Sequence, residues 1–237
     1  ISIFKIKRKK PLIVFFHGFG SNRYRFFEFF NENMDEILDK YSLLTIDLRA
    51  HHESTGDLYI QSIVDDIKKD IKYSRKYSDK IIAGGHSLGA YTLYKALTEL
   101  ENCDYIEKAF LLSGPHCSML RVLDDAIERN LKLPEVVKEN ITFSNVLKKI
   151  VDKDFIPKFV VKKIRDFADN FFEYFNPPED IDKCKDILKD IANASDNISL
   201  PTENIKYPVI LIHGSNDTFV SVSYTHLRAH ETRHDLV

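Results

Sequence analysis

Ser87 stands at the centre of the stretch G-H-S-L-G, which occupies residues 85–89 between a short apolar run and a segment with helical spacing. A serine at a sharp turn from strand to helix is exposed above the edge of a sheet, where its hydroxyl can attack a carbonyl carbon. Such a turn leaves little space, and Gly85 and Gly89 supply small residues two positions before and after the serine. The pattern predicts Ser87 as the nucleophile of an acyl-transfer reaction.

The attack places negative charge on the carbonyl oxygen, and two backbone N–H groups are candidates to hold it. The first is the N–H of Leu88, at the positive end of the predicted helix. The second is the N–H of Phe19 in the stretch H-G-F-G, which follows the apolar run Leu12–Phe16. We predict Phe19 and Leu88 as the oxyanion hole. His17 lies in the same turn, and we expect it to make a structural hydrogen bond rather than act as a base.

A carboxylate follows the last apolar run of the chain. Asp217 ends the stretch H-G-S-N-D, directly after Val209–Ile212. A carboxylate just beyond the C-terminal end of a strand can accept a hydrogen bond from the Nδ1–H of a histidine and stabilise the imidazolium that forms during attack. Asp217 is therefore predicted as the acid that orients a histidine base.

The elements that must position these groups follow from an alternation of short apolar runs with segments of helical spacing. This alternation predicts an α/β fold, with a doubly wound, mostly parallel sheet and helices on both faces. We expect Gly84 and Gly85 to end the strand before Ser87, and the basic residues of 5–10 to form a solvated hairpin turn. Strands are predicted at 1–7, 12–16, 43–46, 81–83, 109–112 and 209–212, and helices at 22–40, 60–71 and 88 to about 100.

A long segment without strand signal interrupts this pattern. Its helical spacings predict an insertion over residues 118–200 that covers the C-terminal edge of the sheet as a lid, so that the core comprises residues 1–117 and 201–221. Most phenylalanines of its third helix are expected to pack the lid onto the core, although some could instead line an acyl pocket. The predicted helices are 119–130, 146–151, 155–175 and 180–192, and the phenylalanines are Phe155, Phe159, Phe167, Phe171, Phe172 and Phe175.

Four motifs together resemble the α/β-hydrolase superfamily, in particular its lidded branch of esterases, lysophospholipases and serine aminopeptidases. They are H-G-F-G at 17–20, D-L-R-A-H-H-E-S at 47–54, G-H-S-L-G at 85–89 and H-G-S-N-D at 213–217. The family usually has glycine at the positions of Ala50 and His52, so we expect this loop to be shaped differently. His51 and His52 are interpreted as loop residues. The resemblance spans Leu12 to about Val220 and implies a triad in the order serine, acid, histidine.

The histidine that the resemblance implies would follow Asp217 after a further helix and strand. His226, His230 and His234 do follow it, but we interpret none of them as the base. Lys, Ile and Asn are frequent before Asp217 and absent from the sequence thereafter. The run of residues 222–232 also matches one translated frame of a transposase adapter used to prepare DNA for sequencing. We therefore expect residues 222–237 to be an adapter-derived tail, and the chain to lack its catalytic histidine and most of its activity.

The composition excludes other classes of function. A net charge of −2 and a sequence pI of about 6.5 give no reason to expect nucleic acid or an anionic membrane as partner. No apolar run reaches membrane-spanning length. Cys103, Cys117 and Cys184 are too scattered for a disulfide framework or a metal site, which favours a cytoplasmic protein. Because the chain begins with Ile1 rather than Met, we expect its natural start, and with it any signal peptide, to be missing.

These observations predict a serine hydrolase that cleaves a carboxylic ester of an apolar acyl group through an acyl-enzyme intermediate. Two alternatives stay open: a serine aminopeptidase-like peptidase, and a non-catalytic protein that uses the fold as a binding module. Serine rather than aspartate at position 87 argues against dehalogenase and epoxide-hydrolase chemistry. No motif suggests a metal ion or an organic cofactor. The expected partner is a small ester or lipid-like substrate, and no oligomeric state is predicted.

Overall fold

In the computed structural model of this chain the described residues are 2–4, 10–101, 103–114, 158–196 and 205–212. Several sequence predictions concern residues outside these ranges, or side chains that are not described within them, and they stay predictions. They concern Asp217, His226, His230, His234, Cys117, Phe155, the side chains of Phe159, Phe167 and Phe171, and the predicted helices 119–130 and 146–151.

The described elements form one sheet flanked by helices. The strands are β1 Ser2–Phe4, β2 Leu12–Phe16, β3 Ser42–Ile46, β4 Ile81–His86, β5 Ile106–Leu112 and β6 Val209–Ile212. The helices are α1 Arg25–Phe30, α2 Met34–Lys40, α3 Ile60–Ser74, α4 Leu88–Glu99, α5 Lys158–Phe171 and α6 Ile181–Asp196. Among these described helices, none combines the length and apolar character needed to cross a membrane.

The order of strands in the sheet is β1-β3-β2-β4-β5-β6. β1 runs antiparallel to β3, and the other five strands are parallel to one another. Leu12, Val14 and Phe16 pack in one core with α3 and α4, whereas Ile13 and Phe15 pack in a second core with α1 and α2. Both faces are covered, which confirms the predicted α/β fold. Because parallel strands end at the same edge, the loops after β2, β3 and β4 meet there.

The strand before Ser87 is longer than predicted. β4 continues through Gly84 and Gly85 to His86, because it is paired with β2 on one side and β5 on the other. A Cβ at Gly84 would collide with the ring of Phe110 on β5. The glycine therefore marks a close approach between neighbouring strands rather than the end of one. The prediction that these glycines end the strand was wrong.

Two other local predictions were also wrong. The helix predicted over 22–40 is divided by a 3-10 turn at Asn31–Asn33, and its two asparagines are weak helix formers. In the described sheet β1 and β2 are not neighbours and form no hairpin, since β1 pairs with β3 and Ile3 lies opposite Leu44. The apolar spacing of 22–40 nevertheless identified the face that packs on the sheet.

Two hydrogen bonds tie α6 to α4 and α3. Tyr91 on α4 donates its hydroxyl to the carbonyl of Ala194 at 3.0 Å. The N–H of Ile60, at the start of α3, donates to the Asp190 carboxylate at 2.7 Å. The first N–H groups of a helix have no acceptor within that helix, so Asp190 caps α3 from a distant part of the chain. The position of α6 and the start of α3 are therefore coupled.

Candidate active site

Ser87 lies between β4 and α4, at the C-terminal edge of the parallel strands, and is half-buried. Its backbone has φ 50° and ψ −114°, a conformation that residues with a side chain rarely adopt. Neighbouring elements hold it: the N–H of Ser87 donates to Leu112 O at 2.9 Å, and its carbonyl accepts from Tyr91 N–H at 3.0 Å. The geometry is that of a sharp, strained turn from strand to helix.

Gly85 and Gly89 are required by close packing of the backbone around this turn. A Cβ at Gly85 would lie 2.6 Å from the carbonyl oxygen of Gly89. A Cβ at Gly89 would lie 2.5 Å from the carbonyl oxygen of His17 and would also collide with that of Phe16. Any side chain at Gly89 would separate α4 from the end of β2. This is the steric need on which the sequence prediction of small residues rested.

The loop after β2, residues 17–20, is called the β2 loop below, and it lies directly against the turn. A Cβ at Gly18 would be 3.1 Å from the Cβ of Ser87 and 2.8 Å from Nδ1 of His86. The backbone of the β2 loop therefore touches the hydroxyl-bearing residue with no side chain between them.

His17 fixes part of the β2 loop. Its ring is buried, with Nε2 accepting from Leu48 N–H at 3.0 Å and Nδ1 2.7 Å from Gly18 O. A carbonyl only accepts, so Nδ1 carries the proton. The peptide between Gly18 and Phe19 is a rigid plane, and the bond to its carbonyl also restricts the directions in which the Phe19 N–H can point. Burial lowers the pKa of His17 to about 3, so the ring is neutral and structural.

The loop after β3, residues 47–54, is called the β3 loop. Ala50 has φ 59° and His52 has φ 48°, in the left-handed region that favours glycine. These are the two positions at which the resemblance to hydrolases led us to expect glycine. Ala50 and His52 therefore adopt the backbone conformation that a glycine would adopt at these positions. For a residue with a Cβ this conformation costs free energy.

A charged cluster anchors the β3 loop. Asp47 accepts from the N–H of Arg23 at 2.7 Å, and its second oxygen lies 3.1 Å from Arg23 Nη1 and 3.0 Å from His52 Nδ1. Arg23 also pairs with Glu53. Asp47, His52 and Glu53 are close enough together to share a cation. Because the buried guanidinium already supplies positive charge there, we interpret the cluster as an ion-pair network and assign no metal to it.

Aromatic rings surround Phe19 in the β2 loop. The ring centroid of Phe19 lies 4.6 Å from that of Phe172 and 4.7 Å from that of Phe175. Phe175 also forms an isolated antiparallel bridge with His51, flanked by backbone hydrogen bonds of 2.8 Å. The segment that follows α5 therefore reaches the sheet edge at which Ser87 lies.

A cavity of about 430 Å³ lies between the β3 loop and α3. Its lining is charged and includes Arg49, which pairs with Asp66 at 2.7 Å, and Asp70. Burial, reinforced by the negative charge of Asp66, raises the pKa of Asp70 to about 6. Ser87 and the β2 loop take no part in the described lining of this cavity, so we do not interpret it as the place where Ser87 would act.

The structure brings Ser87, the start of α4 and the β2 loop together, whereas Asp217 lies outside the described residues. Sequence reasoning missed Arg23 and the contact between His51 and the β2 loop. One signal could have found that contact. The motifs at 17–20 and 47–54 each follow a predicted buried strand, and loops after adjacent parallel strands share one edge of a sheet.

The sequence profile of the alpha/beta hydrolase fold family matches residues 11–232. The match covers most of the chain, which therefore belongs to this family. It extends through most of residues 222–237, whose expected foreign origin stays a prediction. A comparison with curated proteins found no significant match.

Solved structures with this fold include esterases. An esterase from Pyrococcus furiosus is 19% identical, with a TM-score of 0.59 over 94% of this chain and 68% of that chain. An esterase from Exiguobacterium antarcticum is 16% identical, with a TM-score of 0.57 over 94% and 80%. A lipase-esterase related protein from Clostridium acetobutylicum is 20% identical, with a TM-score of 0.52 over 92% and 80%. At these identities the likeness shows the fold.

Proposed function

We propose that this protein is a serine hydrolase that cleaves carboxylic esters, with Ser87 as its nucleophile. The observation that carries the proposal is the strained backbone of Ser87, φ 50°, at the junction of β4 and α4 and against the β2 loop. Such strain persists only where the surroundings compel it, and it is concentrated at functional sites. Membership of the alpha/beta hydrolase fold family supports the same conclusion.

In the proposed mechanism Ser87 Oγ attacks the acyl carbonyl while its proton passes to a histidine base that Asp217 orients. The protonated base then gives its proton to the leaving alcohol, and water hydrolyses the acyl-enzyme. The N–H groups of Leu88 and Phe19 hold the oxyanion. Leu88 is the first residue of α4, so its N–H has no acceptor within the helix.

The base is not His17 or His51. Both ring nitrogens of each residue lie within hydrogen-bond distance of backbone groups, and burial lowers the two pKa values to about 3 and about 4. A general base works best with a pKa near the operating pH. We also propose that none of His226, His230 and His234 is the base, because the run of residues 222–232 matches an adapter. We therefore expect this chain to hydrolyse esters weakly, through its nucleophile and oxyanion donors.

An apolar acyl group is the substrate feature that the surroundings of Ser87 support. Phe19 and Phe172 are in ring contact above the β2 loop. On α1, Phe29 is 40% exposed, and its ring centroid lies 4.7 Å from that of His86, the residue before Ser87. Exposed aromatic surface beside a nucleophile favours a hydrocarbon chain over a charged group. The runner-up, an aminopeptidase-like peptidase, would cleave amides instead.

A fluorophosphonate probe tests the nucleophile, because it bonds covalently to a reactive serine. Since we expect the base to be missing from this chain, we expect slow labelling, which is followed at high probe concentration and long incubation. We expect mass spectrometry to locate the adduct on Ser87, and Ser87→Ala to abolish it. Ser113→Ala is the matched control, since Ser113 also has a positive φ, 45°, directly after β5. Labelling that survives Ser87→Ala, or that Ser113→Ala removes, would contradict the proposal.

Comparing p-nitrophenyl esters with aminoacyl p-nitroanilides tests the substrate class. We expect slow turnover of the esters, faster with apolar acyl chains than with acetate, and no release of nitroaniline. Preferential anilide hydrolysis would identify the peptidase. Absence of both labelling and turnover would favour a binding module.

A further inference from the structure

His51 is a fully buried imidazole that joins the two loops at the edge of the sheet. Its Nε2 lies 3.0 Å from the N–H nitrogen of Gly20 in the β2 loop, and its Nδ1 lies 2.8 Å from the carbonyl oxygen of Arg49 in the β3 loop. A backbone N–H only donates and a carbonyl only accepts. The partners therefore fix one neutral tautomer, with the proton on Nδ1 and the lone pair of Nε2 directed at Gly20.

The ring of His51 is held in this orientation by its neighbours. Ring centroids lie 5.1 Å away for His17 and 5.5 Å away for both Phe19 and Phe175. Its backbone N–H donates to Leu48 O at 3.1 Å, so the main chain is fixed as well. Burial lowers the pKa of His51 to about 4, and the lone pair on Nε2 is available at neutral pH.

Two rigid peptide planes flank Phe19, and each is held by one imidazole. The plane before Phe19 is held at Gly18 O by His17, and the plane after it is held at Gly20 N–H by His51. Because peptides are planar, the only freedom between them is the φ and ψ of Phe19. Gly20 has φ 65° and, as a glycine, would reorient easily if its N–H lost its acceptor.

We propose that His51 is a positioning residue, which holds Gly20 so that the Phe19 N–H points at the oxyanion formed on Ser87. The part of this inference that concerns catalysis rests on the proposed function. The hydrogen bond from Gly20 to His51 does not depend on that function. His51 touches no reacting atom in this account, and it acts through the backbone of the β2 loop.

Two substitutions of equal length separate the hydrogen bond from packing. His51→Gln keeps an oxygen acceptor and an N–H donor at the reach of the imidazole, whereas His51→Met keeps apolar bulk and loses both. His52→Ala is the matched control, because His52 is the next residue in the β3 loop and binds Asp47 rather than the β2 loop. Thermal unfolding of all three variants shows which of them are folded.

The first readout is amide hydrogen exchange at Gly20, followed by NMR, which does not depend on catalysis. We expect exchange at Gly20 to be at least about tenfold faster in His51→Met, and unchanged in His51→Gln and His52→Ala. Unchanged exchange in His51→Met would overturn the proposal. If His51→Met does not fold, faster exchange at Gly20 in His51→Gln than in the wild type would overturn it instead.

The second readout is the rate at which a fluorophosphonate labels Ser87, with kcat and KM for a p-nitrophenyl ester. Since removing one oxyanion donor costs on the order of 10²–10³ in rate, we expect His51→Met to lower labelling and kcat at least about tenfold, with KM unchanged. His51→Gln should recover most of the loss. Faster exchange with unchanged labelling would show that His51 holds the loop without positioning the donor, which overturns the proposal. A wild type that does not label even at high probe concentration and long incubation overturns the proposed function. Exchange at Gly20 then still tests whether the hydrogen bond to His51 exists.

Discussion

The backbone of Ser87 stores free energy in a conformation that an ordinary residue avoids. Its φ of 50° and ψ of −114° lie outside the regions allowed to L-residues, at a cost of about 1–3 kcal/mol. Hydrogen bonds to Leu112 and Tyr91 compel it from two elements. Glycine at this position would relieve the strain, whereas alanine would keep it.

We therefore expect Ser87→Gly to be more stable than Ser87→Ala by about 1 kcal/mol. The strain relieved exceeds the roughly 0.4–1 kcal/mol that the more flexible glycine adds to the entropy of the unfolded chain. Both variants lack the hydroxyl, so the comparison isolates the backbone. Urea denaturation measures it, and an alanine variant as stable as the glycine variant would show that the turn is relaxed.

Asp70 predicts a pH effect on stability. In the folded state its pKa is raised to about 6 by burial and by Asp66, from a reference value of 3.8. Folding therefore favours the protonated form, so this contribution is present below pH 3.8 and is lost as the pH rises through 6. The positive charge of Lys69 opposes this rise in the pKa of Asp70 but does not outweigh it.

We expect Asp70→Asn to stabilise the protein by about 1–3 kcal/mol at pH 8, because one pKa unit corresponds to about 1.4 kcal/mol. The gain should disappear near pH 4. Asp65→Asn is the control on the same helix, since Lys68 lowers the pKa of Asp65 and the substitution removes a favourable pair. Chemical denaturation at both pH values gives the answer. An equal gain at pH 4 and pH 8 would contradict the electrostatic origin.

The position of helix α4 depends on the close contact between Gly89 and the end of β2. A Cβ at Gly89 would collide with the carbonyl oxygens of Phe16 and His17. Phe16 ends a strand that is paired on both sides, and the buried ring of His17, the next residue, is hydrogen-bonded to Leu48 and Gly18, so neither oxygen moves away easily. Any accommodation must displace α4, and with it the Leu88 N–H.

We expect Gly89→Ala to cost about 3 kcal/mol or more, at or above the usual range for overpacking, and to remove labelling of Ser87. Gly114→Ala is the matched control, since among the described residues a Cβ there would meet the side chains of Ala90, at 3.0 Å, and Leu111, at 4.0 Å, and no backbone atom. We expect it to cost less than about 1 kcal/mol. Equal losses in the two variants would mean that the turn tolerates a wider separation of α4 from β2.

The sequence predicted which segments form strands and helices better than it predicted where these elements end or which strands pair. The strands Leu12–Phe16 and Val209–Ile212 have the predicted bounds. Leu12–Phe16 is buried throughout, as a continuous apolar run predicts, whereas Ile210, Leu211 and Ile212 of β6 are about half exposed. β4 extends past Gly84, since pairing on both sides outweighs the low strand propensity of glycine. Propensity is local, whereas pairing depends on which strand lies alongside.

The sequence predicted those features of the candidate site whose residues all lie within one motif. The turn around Ser87 is such a case, since its steric demands fall on Gly85 and Gly89 within the same five residues. The hydrogen bond from Gly20 to His51 joins residues 31 positions apart, and neither motif indicates that the other lies beside it. Such contacts come from the order of strands in the sheet, which the sequence pattern did not predict.

For the whole molecule, the contribution of residues 222–237 to catalysis can be tested directly. We expect a variant with His226→Ala, His230→Ala and His234→Ala to hydrolyse p-nitrophenyl acetate at the rate of the unchanged chain, because we place no base among these residues. Ser87→Ala, measured alongside, should be slower than both. A loss on the order of 10³ or more in the histidine variant would place the base there.

The pairing of β5 with β6 has a consequence for how the chain folds. Ala109 pairs with Val209, so this strand contact closes a loop of about 100 residues, whereas β2 and β3 close one of about 30. Contacts so distant in sequence form slowly, because their loop entropy is lost before the contact stabilises anything. We expect β1 to β5 to assemble first, with β6 joining last. Until then the edge of β5 is open, and a nascent chain is most exposed to pairing with another chain along that strand.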